Sequence, residues 1–265
     1  MIMVLSGTQD GREIINLLSE KKYPLLITTA TSYGGSLIPE SATGYVRTGK
    51  MNYEEMNTCI EENRVRLIID ATHPYAEEVS KNAMAISEEK TIPYLRFQRN
   101  ESAYQDYEKI IRTVKDMQEA TAYLKSIEGN IMLTTGSKSL DVFAANIDVC
   151  RLYPRVLPSS EVLIKCEAMG IRTGNIIAMQ GPFSKTMNIE MIKKYNIGIL
   201  VTKDSGDIGG TLDKLEAARQ CGCVVVMIQR PAIVYRNLFY NQKDLLFKVC
   251  ELYEKILSHD GESGR

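Results

Sequence analysis

Short apolar runs alternate with amphipathic stretches along most of the chain, and the alternation predicts its elements. Val4 and Leu5 end an apolar run too short for a helix, and Gly7 and Gly11 bracket a polar loop. Ile14, Ile15, Leu17 and Leu18 then recur at helical spacing, so residues 1–18 read as strand, turn and amphipathic helix. Residues 25–31 predict a second strand, the Gly34-Gly35 segment a loop, residues 44–48 a short strand and residues 53–63 a helix. The apolar stretch 66–72 is another strand running into His73-Pro74-Tyr75. Pro74 suits the first helical position, so a helix is expected from there through Val79, Ala83 and Ile86. Residues 93–97 complete this set.

Residues 100–106 are polar and read as a linker, 107–114 as an edge strand of either half, and 116–126 as a helix. The pattern then restarts. Strands are expected at 130–135, 148–153, 175–180, 198–202 and 224–229. Helices follow Lys138, run over 159–169 with Ser159 as N-cap, begin after a Ser184 cap, and cover 211–220 and 242–257. The polar tail 258–265 reads as disordered. Such alternation implies parallel sheets covered by helices. The expected fold is α/β: two Rossmann-like doubly wound domains, 1–128 and 129–265, with the active site in the cleft between them. The C-terminal helix and the tail are assigned to the second domain.

Composition narrows the function. At 265 residues, with 44% hydrophobic and 25% charged positions, the chain is an ordinary globular protein. A formal net charge of -1 argues against a nucleic-acid-binding face, while leaving room for a local cationic cluster. No apolar run approaches the ~20 residues needed to span a bilayer, and no signal-like segment opens the chain, so the cytoplasm is the expected location and no membrane partner is expected. The six cysteines form no C-x-x-C pair, and His73 and His259 are the two histidines. Reduced thiols and no metal site are expected.

Five strand ends, 7–12, 72–75, 134–138, 181–184 and 203–210, combine glycines, hydroxyls and cations. Backbone N–H groups, Ser/Thr hydroxyls and ammonium groups together suit phosphate or carboxylate ligands, so a polyanion in an interdomain cleft is inferred. The first loop is not the G-x-G-x-x-G dinucleotide fingerprint, because its glycines are four apart. The second strand ends in Thr28, Thr29, Ala30, Thr31 and Ser32 with no acidic residue; this is compatible with NADPH, and equally with no dinucleotide in this half. Asp70 reads as an anchor. His73 reads either as a polar or acid group in the cleft or as a loop hydrogen-bonder, and Tyr75 as a donor or a packing aromatic. No Ser–His–Asp or Cys–His nucleophile arrangement is readable.

Taken together, SGTQDGR (6–12), DATHPYA (70–76), LTTGSK (133–138), QGPFS (180–184), TKDSG (202–206) and IQRP (228–231) resemble the precorrin-6A reductase family of corrin biosynthesis. The resemblance implies two Rossmann-like domains and transfer of hydride from a reduced nicotinamide nucleotide, NADPH or else NADH, to one double bond of a carboxylate-rich tetrapyrrole. It implies cofactor contacts from Gly7, Thr8, Gln9, Asp10, Gly11, Arg12, Thr72, Thr135, Gly136 and Ser137. His73, Tyr75 and Lys203 take the catalytic roles, nearer the macrocycle, and Lys138, Ser184, Ser205 and Gly206 contact substrate. Three departures stand out: Ser6-Gly7 where two glycines are commoner, Ser32 where an acid is expected, and the longer TKDSGDIGG associated with the cobalt-containing branch. A corrinoid methyltransferase using S-adenosylmethionine and a non-catalytic nucleotide sensor are the alternatives. A monomer is the default oligomeric expectation.

Overall fold

The computed structural model describes residues 1–98, 104–204 and 210–262, with the side chains of the last helix to residue 256. The chain forms two compact units, Met1–Asn100 with Pro231–Arg265, and Glu101–Arg230.

The first unit opens with β1 (Ile2–Leu5), α1 (Gln9–Glu20), β2 (Leu25–Thr29), α2 (Ser32–Ser36), β3 (Gly44–Thr48), α3 (Tyr53–Glu62), β4 (Leu67–Asp70), α4 (Glu77–Glu89) and β5 (Tyr94–Phe97). The second contains β6 (Ile111–Val114), α5 (Met117–Leu124), β7 (Asn130–Leu133), α6 (Leu140–Ala144), β8 (Leu152–Val156), α7 (Ser160–Ala168) and β9 (Ile177–Ala178). It ends with α8 (Lys185–Lys194), β10 (Ile197–Lys203), α9 (Thr211–Cys221) and β11 (Val224–Ile228). The chain then returns to the first unit as β12 (Leu238–Phe239) and α10 (Gln242–Glu262).

Each unit carries a six-stranded sheet, ordered β12-β5-β4-β1-β2-β3 and β6-β11-β10-β7-β8-β9. Every pairing is parallel. This is the doubly wound α/β architecture expected. Strand alternation sorts the first core: Ile2, Val4, Ile27 and Ile69 meet α1 and α10, whereas Met3, Leu5, Leu26 and Ile68 meet α3 and α4. In the second unit Met132, Leu200, Val225 and Met227 pack against α8 and α9.

The division at 128/129 is not the one observed. β6 pairs with β11, placing the strand near Tyr107 in the second unit. α10 buries Leu245 and Val249 on the first sheet, and β12 extends that sheet from β5. The first sheet therefore takes its sixth strand, β12, from beyond the second unit, whereas β6 lies within the second unit's own continuous stretch.

Local differences have local causes. A turn with Ala76 N–H bonded to the His73 carbonyl puts Pro74 before the helix, so α4 starts at Glu77. Thr31 caps Gly34 N–H and draws the expected loop into the one-turn α2. Residues 105–110 form a 3-10 turn, so the edge strand is β6 alone. Asp148 caps Cys150 N–H, delaying the next strand to Leu152 and extending it to Val156. The backbone of α10 continues into the expected tail, to Glu262.

One charged cluster lies wholly inside the first unit. Asp70 and Arg96 are register partners on β4 and β5, both fully buried, with Nη1 2.5 Å from Oδ1. Oδ1 also accepts from Thr72 N–H and hydroxyl (3.0 and 2.7 Å), and Oδ2 from Ser80 (2.6 Å) and Tyr94 (2.7 Å). Arg96 Nη2 donates to the Thr72 carbonyl (3.0 Å), and its guanidinium lies 5.1 Å from the Tyr235 ring centre. Burial, then the adjacent Asp70 charge, drives the Tyr94 phenol far upward, so it stays a donor. Asp70→Ala, which strands the guanidinium, is expected to cost about 3–5 kcal/mol of unfolding free energy in urea denaturation. A loss under about 1 kcal/mol would show the pair to be dispensable.

Candidate functional site

In an open parallel sheet, ligands meet the carboxyl ends of strands where the strand order reverses. The reversals here fall between β1 and β4 and between β7 and β10. Four of the five predicted loops begin at these strands.

At the first reversal, Thr8 is extended and caps α1: its Oγ1 accepts Gly11 N–H at 3.0 Å and donates to the Ala71 carbonyl at 2.9 Å. The hydroxyl thus ties the β1 loop to the β4 loop. Gly7 has φ +139° and open space where a side chain would stand. A Cβ on Gly11 would lie 2.5 Å from Ser6 Oγ, a buried hydroxyl with no hydrogen-bond partner among the described residues. Gln9 is exposed and bonds Glu13, Asp10 is buried, and Arg12 is half-buried without an ion pair among the described residues. Thr72 is engaged through both hydroxyl and carbonyl in the Asp70–Arg96 cluster. His73 is exposed; its Nδ1 accepts Tyr75 N–H at 3.3 Å, and the two rings lie 5.5 Å apart. That bond leaves Nε2 to carry the proton of the neutral ring.

At the second reversal lies a cavity of about 440 Å³. Thr135, Gly136, Ser137, Lys138 and Lys203 line it together with Arg155, Phe183, Gly210 and Lys214. Gly136 has φ +81° and open space before it, and Thr135 Oγ1 accepts from Ser139 at 2.8 Å. Ser184 is exposed, and its hydroxyl caps α8 at Met187 N–H (3.3 Å), while Ser205 and Gly206 lie outside the described residues. A cavity of about 550 Å³ belongs to the first unit, at the opening end of β5 beside Met84, Glu88, Val234 and Arg236, and holds none of the predicted residues.

His73 and Tyr75 thus belong to the first unit, and Lys203 to the second. Among the described residues no cluster of His, Cys, Asp or Glu could hold a metal, and no helix is long and apolar enough to cross a membrane.

Sequence reasoning missed Arg155 and Lys214, which are 8% and 6% exposed. Arg155 donates to Asn188 Oδ1 at 2.6 Å and lies 3.9 Å from the Phe183 ring centre. Lys214 donates to Thr202 Oγ1 at 3.0 Å. Burial pushes Arg155 down to about 10, still charged at neutral pH. Burial, then Arg155, pushes Lys214 down to about 7, against a smaller opposing pull from Asp204. Lys203 is lowered by burial and by Lys138. The available signal was a lone cation within an apolar pattern: Arg155 inside a strand, Lys214 on the helix face shared with Leu215 and Ala218.

Comparison with known proteins adds a separate line. A family model described as precorrin-6x reductase CbiJ/CobK matches residues 1–250. A cobalt-precorrin-6A reductase of Priestia megaterium is 37% identical over 244 residues, covering 90% of this chain and 94% of that protein. A cobalt-precorrin-6A reductase of Methanothermobacter thermautotrophicus is 32% identical, covering 99% of this chain and 86% of the relative. A solved CobK precorrin-6A reductase shares the fold, with TM-score 0.78 at 22% identity, over 95% of this chain and 96% of that one.

Thr8→Ala removes both a cap and an interloop tie, and should lower stability by about 1–2 kcal/mol in denaturant unfolding. Lys214 ordinarily titrates at 10.5, and in the fold at about 7. Between those values the unfolded chain holds the extra proton, so stability should rise with pH from about 7 to about 10. Thermal melting against pH checks this, and Lys214→Met should flatten the rise.

Proposed function

The chain belongs to the precorrin-6x reductase CbiJ/CobK family, and from that premise we propose that it reduces one double bond of precorrin-6A in its cobalt-containing form, using NADPH. The observation carrying this reading is the family match over residues 1–250, a span that includes both strand-order reversals and their loops. The cobalt form is preferred because relatives at 37% and 32% identity bear that name. A methyltransferase reading has no counterpart in these matches.

The first loop fits a nucleotide's phosphates: Gly7 leaves its backbone open to approach, Ser6 holds an unmatched hydroxyl, and α1 directs N–H groups to its capped end. Arg12 supplies the cation there. The end of β2 carries Thr29 and Thr31 and no carboxylate to repel a 2′-phosphate, which favours NADPH over NADH. When bound, the reduced nicotinamide supplies the hydride. The remaining work falls to protein groups. His73, with Nδ1 held by Tyr75 N–H, presents Nε2 as the proton source for the neighbouring carbon. Lys138 and Lys203 hold macrocycle carboxylates and orient the reacting face, with Thr135, Gly136 and Ser137 supporting the cofactor.

The test is anaerobic mixing of protein with cobalt-precorrin-6A or the metal-free form, following NADPH or NADH absorbance. Oxidation that depends on the macrocycle and is fastest with the cobalt form and NADPH is expected. No oxidation with any pairing by folded protein overturns the reading. His73→Ala should slow turnover by about 100-fold or more, and unchanged turnover removes it as the proton donor.

A further inference from the structure

Four cations converge on the second unit's 440 Å³ pocket: Lys138, Arg155, Lys203 and Lys214. Two of them are more than nine-tenths buried, an expensive placement for charge unless an anion completes it. Among the described residues neither Arg155 nor Lys214 has a carboxylate within ion-pair distance; their polar partners there are an amide oxygen, a thioether and a hydroxyl. Asp204, whose charge pulls Lys214 upward, is paired with Arg230 at 3.0 Å. Lys214 also lies in the first turn of α9, where the helix dipole disfavours a cation, and that turn starts at Gly210 without a side-chain cap. Gly210 itself lines the pocket.

We propose that Arg155 and Lys214 form the floor of an oxyanion receptor that takes one carboxylate or phosphate, with Lys138 and Lys203 at its sides. This deepens, and rests on, the reductase reading. Leu157, Met179, Pro182 and Phe183 border the same cavity, so an anion carried on an apolar frame, as a macrocycle carboxylate is, matches the lining better than a bare phosphate.

Binding is then coupled to a proton. Arg155 from β8 and Asp204 from the end of β10 act on the Lys214 charge and Thr202 accepts its hydrogen bond; Lys138 and Lys203 line the same pocket, and Arg230 is paired with Asp204. With Lys214 at about 7 before binding, an entering anion raises it, so a proton is taken up above neutral pH.

Titration calorimetry at pH 8, in two buffers of different ionisation enthalpy, measures that uptake. The probes are anaerobic cobalt-precorrin-6A and, separately, NADP+. One of them is expected to bind with uptake of up to about one proton. Uptake with the tetrapyrrole assigns a carboxylate; uptake with NADP+ assigns a phosphate. Lys214→Met should abolish the uptake and weaken that probe by at least about 10-fold. Lys214→Arg should abolish uptake yet retain binding, which a merely structural lysine would not do. No uptake with either probe in the unmodified protein overturns the receptor, and this result needs no variant to fold. If macrocycle-dependent oxidation persists alongside it, the reductase reading stands and the receptor alone falls. Uptake with NADP+ but no oxidation does the reverse.

Discussion

A carboxylate and a guanidinium, both without solvent, set the geometry of the first unit. Parallel register places Asp70 beside Arg96, and in a low-dielectric interior neither tolerates a missing partner. The remaining lone pairs of Asp70 are therefore filled by Thr72, Ser80 and Tyr94. Each of these bonds positions something else. Ser80 fixes α4 on the sheet, Thr72 fixes the backbone entering the His73 turn, and Arg96 N–H bonds the Asn237 carbonyl just ahead of β12. The predicted loop at 72–75 is shaped from beneath by this buried cluster.

The second unit handles charge in the opposite way. Among the described residues its buried cations have neutral partners, and their positive charge faces a cavity at the strand-order reversal. The two units share one strand order through five strands, yet one encloses a buried ion pair and, among the described residues, the other leaves two buried cations without a carboxylate. A paired charge positions its neighbours; buried cations without a carboxylate favour an anion.

Much of this was legible in the sequence. Continuous apolar runs separated by amphipathic stretches gave nearly every strand and helix, because strands buried on both faces have little compositional alternative. The loops that carry glycine and hydroxyls were located because strand ends are where a doubly wound sheet binds ligands. What escaped depended on pairing across distance. β12 has two residues and is a strand only because β5 offers an open edge. That the Thr72 hydroxyl also accepts from Arg96, 24 residues onward, was among these. Arg155 was hidden by Pro154, which reads as a loop residue although it pairs in register with Leu133.

The return of the chain to its first sheet has a consequence for how the protein is made. The second unit is one continuous stretch, Glu101–Arg230, and can close as soon as it leaves the ribosome. The first cannot: the face that takes Leu245 and Val249 waits for the last helix, with Ile14, Ile15 and Leu18 only partly covered meanwhile. At typical synthesis rates that interval is on the order of ten seconds. During nascent-chain growth the earlier-made half is thus the later-finished one, and the open β5 edge is its exposed template for mispairing.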